Sequence, residues 1–208
     1  MDVPVSSFDD FQTKLAQLQG KSVIFGFLLY DSRPSQQVVD RFAQEQATWI
    51  GELALGAGIN FFFPFKSEGS DFQNPSVEIM RLFGLGPGRL PGIILFAPPK
   101  ADGKIRQEHF VYLPLEEQDF NDPSVFEPVF IDLFELIRTG IEKTETSHET
   151  LLYLKNEVRK LRRRKTQRGF AAYIRKGAHI VLVEIPMALS ESFAAGFGKA
   201  LGERAAGY

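Results

Sequence analysis

The sequence contains no cysteine in its 208 residues. This absence excludes disulfide bonds, thiolate nucleophiles and thiolate metal ligands. The chain also lacks an uncharged apolar run of roughly 18 residues, the length that a membrane-spanning helix needs. The nearest candidate, residues 178–201, is interrupted by Glu184, Pro186, Glu191 and Lys199. The first residues, MDVPVSSFDDF, have neither the basic segment nor the apolar core of a standard signal peptide, so we expect a cytoplasmic protein.

Common catalytic and metal-binding motifs are missing as well. The sequence has no P-loop, no GxSxG and no HExxH. The three histidines, His109, His148 and His179, lie far apart, and no second ligand is spaced to complete a metal site with any of them. We therefore expect neither a metal nor another cofactor.

The charges that are present are distributed unevenly. Residues 1–146 carry 12 basic and 21 acidic side chains, whereas residues 147–176 carry 10 basic and 2 acidic ones. A change of this kind along a chain indicates a boundary between parts with different roles. We therefore divide the protein into a domain at residues 1–143 and a C-terminal extension at residues 144–208.

Hydrophobic patterns predict alternating helices and strands in the first part. Helices are predicted over residues 7–19, 34–56, 74–84 and 123–139, and strands over 22–30, 59–65, 92–96 and 104–113. Asp102-Gly103 predicts a turn, so that 92–113 forms a hairpin. An alternation that ends in a hairpin and a final helix implies an α/β fold, with a mixed sheet flanked by helices.

Two local features give this element order a resemblance to the thioredoxin-like superfamily. Thioredoxins have Cys-x-x-Cys with Gly-Pro between the cysteines, after the first strand of this pattern and at the head of a long helix. Here the strand VIFGFLLYD runs into SRPS (32–35), which keeps the proline and has serine at both cysteine positions. The second feature is Leu90-Pro91 before the strand GIILF, where thioredoxin-like folds place a cis-proline that faces the active-site turn.

The resemblance implies a fold without its usual chemistry. A serine hydroxyl at a helix N-terminus stays protonated at neutral pH, so it cannot replace a thiolate in disulfide exchange. Phosducin and the calsequestrins similarly use this fold without a redox dithiol. The face that holds an extended peptide in thioredoxins corresponds to Ser32, Arg33, Pro34, Ser35, Leu90 and Pro91.

The extension begins with an amphipathic helix. Leu151, Leu154, Val158 and Leu161 recur at helical spacing, which is short for a coiled coil and suits packing on the acidic domain equally well. The basic residues around this stripe are Lys155, Arg159, Lys160, Arg162, Arg163, Arg164, Lys165 and Arg168. Beyond them, residues 179–185 are compatible with a strand or a buried helix.

Three partners are compatible with the basic helix. We favour a protein surface, either a partner or another part of this chain, over nucleic acid, and nucleic acid over an anionic membrane. The sequence therefore predicts a redox-inactive, thioredoxin-like binding or scaffold module, with contacts made by the C-terminal helices and by the Ser32–Ser35/Pro91 face. The alternatives are a glutathione-dependent enzyme that uses Ser32 and a nucleic-acid-binding protein that uses the 155–168 helix.

Overall fold

A five-stranded mixed sheet organises the protein. The computed structural model describes residues 2–18, 20, 22–31, 33, 37–66, 71–98 and 110–163. The strands are β1 (Asp2–Val5), β2 (Phe25–Leu29), β3 (Asn60–Pro64), β4 (Gly92–Phe96) and β5 (Phe110–Pro114). The α-helices are α1 (Phe8–Gln17), α2 (Gln37–Glu45), α3 (Ala47–Gly56), α4 (Ser76–Leu82), α5 (Pro123–Lys143) and α6 (Ser147–Arg163). The α/β architecture with a mixed sheet is therefore confirmed.

The strands lie in the order β1-β3-β2-β4-β5. Strands β1, β3 and β2 are parallel, while β4 runs antiparallel to both β2 and β5. The antiparallel pairing of β4 with β5 confirms the predicted hairpin strands. The Asp102-Gly103 turn predicted between them lies outside the described residues.

Both faces of the sheet are covered by apolar side chains, which explains the continuous apolar runs in the sequence. One face packs against α1 and α4, with Phe11 at the centre of a cluster of aromatic rings. The other face packs against α2, α3, α5 and α6. The many phenylalanines fill these two layers because they bury large areas without a polar atom that needs a hydrogen bond.

The observed elements differ from the predicted ones at a short strand, at a divided helix and at the end of α5. The short strand β1 was not predicted, since it has four residues and contains Pro4. A proline is tolerated there because β1 is an edge strand. The single helix predicted over 34–56 is divided at Gln46 into α2 and α3. No glycine or proline marks this division, so the local sequence gave no sign of it.

Helix α5 continues beyond Gly140, where the sequence predicted its end. Gly140 instead lies inside α5, at the place where α6 packs against that helix. A Cβ atom at this position would come within 3.1 Å of the Tyr153 ring of α6, so a larger residue would crowd the contact between the two helices. Helix α6 in turn contributes Leu151, Leu154 and Val158 to the same core as the sheet. Among the described residues, no helix is long and apolar enough to cross a membrane.

Candidate functional site

The predicted partner-binding face surrounds the point where β2 ends and β4 begins. Leu29, the last residue of β2, pairs with Gly92, the first residue of β4. The peptide bond between Leu90 and Pro91, just before that pair, is cis, as the resemblance implied. The segments that follow Leu29 and precede Gly92 therefore leave the middle of the sheet side by side, and we refer to this place as the corner.

The structure describes only some of the predicted residues at this corner. Leu90 and Pro91 are buried, and Arg33 is exposed. Ser32, Pro34 and Ser35 lie outside the described residues. The corner is therefore characterised by Leu90, Pro91 and Arg33 and by the side chains that support them.

Arg33 is held by its neighbour Asp31. The guanidinium group forms an ion pair with the Asp31 carboxylate, which also accepts a hydrogen bond from the Arg33 backbone N–H at 3.0 Å. The Asp31 side chain is 14% exposed, whereas the Arg33 side chain is 54% exposed. The cation therefore faces solvent, and part of its charge is neutralised by Asp31.

Tyr30 anchors the end of β2 from inside the protein. Its hydroxyl lies 2.8 Å from the Pro64 carbonyl oxygen and 3.0 Å from Asp40 Oδ1, and its backbone N–H donates to Ser76 Oγ at 3.1 Å. Burial, with a further contribution from the Asp40 carboxylate, raises the pKa of Tyr30 far above its usual value. Tyr30 therefore stays protonated and serves as a structural tie rather than as an acid or a base.

Tyr112 supports the other side of the corner. Its hydroxyl donates a hydrogen bond to the Arg89 carbonyl oxygen and lies 3.4 Å from the Pro91 carbonyl oxygen. Burial raises the pKa of Tyr112 and outweighs the lowering effect of the positive charge of Arg89. A neutral, buried phenol thus fixes the backbone of residues 89–91.

The strand directions bring further cations to this part of the sheet. We use the term carboxyl edge for the edge at which β2 and β3 end and β4 begins. Arg33 follows β2, Lys66 follows β3 and Arg89 precedes β4, and all three side chains are exposed. The sequence-based prediction missed Lys66 and Arg89. A prediction of strand order would have been needed to find them, because they are distant from the SRPS motif along the chain.

The basic residues predicted on α6 are only partly described. Arg159 and Lys160 are exposed, Lys155 is half-buried, and Lys160 Nζ lies 2.5 Å from Glu157 Oε1. Arg162 and Arg163 belong to the last turn of α6, whereas Arg164, Lys165 and Arg168 lie outside the described residues. Leu151, Leu154 and Val158 of α6 are buried in the core. The side of α6 that faces away from the core exposes Arg159 and Lys160, together with Leu152.

Residues 2–18, 20, 22–31, 33, 37–66, 71–98 and 110–163 contain no group of three or more His, Asp or Glu side chains that could hold a metal ion. Comparison of the chain with family models, curated proteins and solved structures gives no match. The residues of this protein are therefore the only basis for its proposed function.

Proposed function

We propose that this protein is a redox-inactive, thioredoxin-like module that binds a protein partner. The observation that carries the proposal is the corner at which Leu29, the end of β2, lies beside Gly92, the start of β4, directly after Leu90-Pro91. It supports the resemblance because thioredoxin-like folds have a proline of this kind beside the turn that follows the corresponding strand. The hairpin β4–β5 and the helix after it agree with the same pattern.

The chemistry at this corner favours binding over catalysis. No cysteine is present in the chain, so a thiolate cannot form at the turn. The two tyrosine hydroxyls nearest the corner, those of Tyr30 and Tyr112, are buried and are used in structural hydrogen bonds. What the described corner offers to another molecule is therefore shape and charge.

The second part of the proposal concerns α6 and the residues that follow it. Arg159 and Lys160 begin a run of basic residues that continues to Arg168 in the sequence. A protein surface rich in carboxylates is the partner that we favour for this run, because long-range attraction between opposite charges accelerates association. We also propose that the protein works in the cytoplasm, which fractionation of the source cells would test.

Site-specific photo-crosslinking tests this function with the full chain. A photoreactive amino acid replaces Arg33 or Arg159. In the control it replaces Glu142, an exposed residue near the C-terminal end of α5. We expect one discrete protein to be captured from cells through position 33, position 159 or both, and not through position 142. Equal capture from all three positions would contradict the proposal.

Glutathione binding tests the competing enzymatic function. Retention of the protein on immobilised glutathione, with loss of retention in Ser32→Ala, would replace the binding proposal with a glutathione-dependent activity. We expect no retention of either form. The same preparation used for cross-linking serves for this measurement.

A further inference from the structure

The three cations of the carboxyl edge lie close to the ends of neighbouring strands. In the sheet order, β3 is next to β2, and β2 is next to β4. Adjacent strands are about 4.8 Å apart, so the ends of β3 and β2 and the start of β4 together span only about 10 Å. Lys66, Arg33 and Arg89 each lie within four residues of these strand ends. Since the three residues are far apart in the sequence, this cluster exists only in the folded protein.

Two of these cations have no partner within the described residues. Arg33 is paired with Asp31, whereas the Lys66 and Arg89 side chains form no hydrogen bond or ion pair with any residue that the structure describes. The cluster is also unusual for its setting, because residues 1–146 have a net charge of −9. An exposed positive patch raises the local concentration of anionic groups and accelerates their association.

The acidic surroundings limit the size of the ligand. On the β5 side, the patch is followed by Glu116 and Glu117, just after the end of that strand. A long polyanion such as nucleic acid would extend over these carboxylates and be repelled by them. The two carboxylates nearer to the cations are already engaged, Asp31 by Arg33 and Asp40 by the Tyr30 hydroxyl. A short acidic segment of a protein can contact Arg33, Lys66 and Arg89 without reaching Glu116 and Glu117.

We infer that the carboxyl edge binds an acidic peptide segment through Arg33, Lys66 and Arg89. In an extended peptide, acidic side chains two or three residues apart are separated by roughly 7–10 Å, which is comparable with the distance of about 10 Å between β3 and β4, the outer two of the three strands. This inference rests on the proposed function and specifies the partner's chemistry at the same corner.

The test measures peptide binding by the full-length protein through fluorescence anisotropy. The probe is a fluorescein-labelled peptide of alternating Glu and Ser, about twelve residues long, and a Gln-Ser peptide of the same length is the uncharged control. We expect binding of the Glu-Ser peptide in about 20 mM salt, much weaker binding in about 200 mM salt, and none of the Gln-Ser peptide.

Charge-reversal variants identify the surface responsible. We expect Lys66→Glu and Arg89→Glu each to weaken binding about threefold or more, and the double variant about tenfold or more. Lys143→Glu makes the same charge change at the far end of α5, roughly 30 Å along that helix, and should leave affinity within about twofold of the wild type. Circular dichroism spectra establish that each variant is folded before its affinity is compared.

Several outcomes would overturn the inference. The first is an equal loss of affinity for the Glu-Ser peptide in Lys143→Glu and in the edge variants. The second is a loss of that affinity in Arg159→Glu alone. The third is binding of the Gln-Ser peptide. Tighter binding of a single-stranded oligonucleotide than of the Glu-Ser peptide, lost in the same edge variants, would assign the edge to nucleic acid instead. If photo-crosslinking captures a partner but the edge variants do not change peptide binding, only this inference is rejected. If peptide binding depends on the edge but no partner is captured, the proposed function is rejected.

Discussion

The hydroxyl of Tyr112 in β5 donates a hydrogen bond to the backbone carbonyl oxygen of Arg89. This bond joins the edge strand of the hairpin to the segment that leads through Leu90–Pro91 into β4. The Tyr112 ring also lies directly over Gly92, where any Cβ atom would overlap it. The position of one side of the proposed binding corner therefore depends on a single phenol.

Removal of this hydroxyl should destabilise the protein slightly. We expect Tyr112→Phe to lower the free energy of unfolding by about 0.5–1.5 kcal/mol, the net contribution of a typical hydrogen bond. Urea unfolding measures the change. Tyr153→Phe is the matched control, because Tyr153 is only half-buried and its hydroxyl forms no hydrogen bond with a described residue. An equal effect of the two substitutions would show that the Arg89 contact contributes nothing.

Two glycines should respond to alanine in opposite directions. A Cβ atom at Gly26 in β2 would overlap the buried Phe61 ring, so Gly26→Ala should cost about 1–3 kcal/mol of stability. A Cβ atom at Gly56, the last residue of α3, would meet open space, so Gly56→Ala should be neutral or stabilise the protein by up to about 1 kcal/mol. Thermal and urea unfolding of both variants check this. A Gly26→Ala protein as stable as wild type would mean that the sheet accommodates a side chain there.

Helix α6 should be necessary for the stability of the whole fold. Leu154→Ala removes a side chain that is 1% exposed and should cost about 2–5 kcal/mol, whereas Leu152→Ala changes a side chain that is 41% exposed and should alter stability by less than about 0.5 kcal/mol. Urea unfolding of the two variants gives the comparison. If Leu154→Ala were as mild as Leu152→Ala, α6 would not be part of the core in solution.

Alkaline pH should destabilise the protein through its buried tyrosines. Burial raises the pKa values of Tyr30 and Tyr112 in the folded state, while in the unfolded chain each phenol ionises near pH 10. The stability from the neutral phenols is therefore complete below about pH 10 and decreases above it, because the unfolded state releases protons that the folded state retains.

The measurement is the urea midpoint between about pH 8 and pH 11, together with phenolate absorbance. We expect Tyr30 and Tyr112 to ionise only as the protein unfolds. The double variant Tyr30→Phe/Tyr112→Phe should lose less stability over this range than wild type does. An identical loss in both proteins would assign the alkaline sensitivity to other groups.

The sequence was sufficient to predict elements whose signals are local. Helix α1 lies within the predicted range 7–19, where Ser7 accepts a hydrogen bond from the Asp10 backbone N–H, and the apolar runs form β2, β3 and β4 within predicted bounds. Buried strands and capped helices are recognisable because their hydrophobic pattern and end residues lie within one short segment.

Features that depend on contacts between distant segments were not predictable. The break at Gln46 separates α2, where Phe42 packs against Phe120 and Phe126, from α3, where Trp49 packs against Phe126 and Phe130. The cation cluster at the carboxyl edge likewise depends on strand order, which periodicity does not reveal. The sequence predicts that α5 ends before Gly140, whereas this glycine lies inside the helix at its contact with α6. Glycine is favoured both at helix ends and at close helix–helix contacts, so the residue type does not distinguish them.

The proposed binding module has serines at the positions that cysteines occupy in the thioredoxin-like turn, namely Ser32 and Ser35. The most direct test restores the sulfur atoms in the double variant Ser32→Cys/Ser35→Cys and measures thiol-dependent reduction of insulin. The control is Ser67→Cys/Ser70→Cys, which has the same spacing elsewhere in an otherwise cysteine-free chain. We expect the first variant to accelerate the reduction well above background, because a thiol at this turn would have a lowered pKa, and the second not to. Equal rates for the two variants would contradict the thioredoxin-like assignment of this corner.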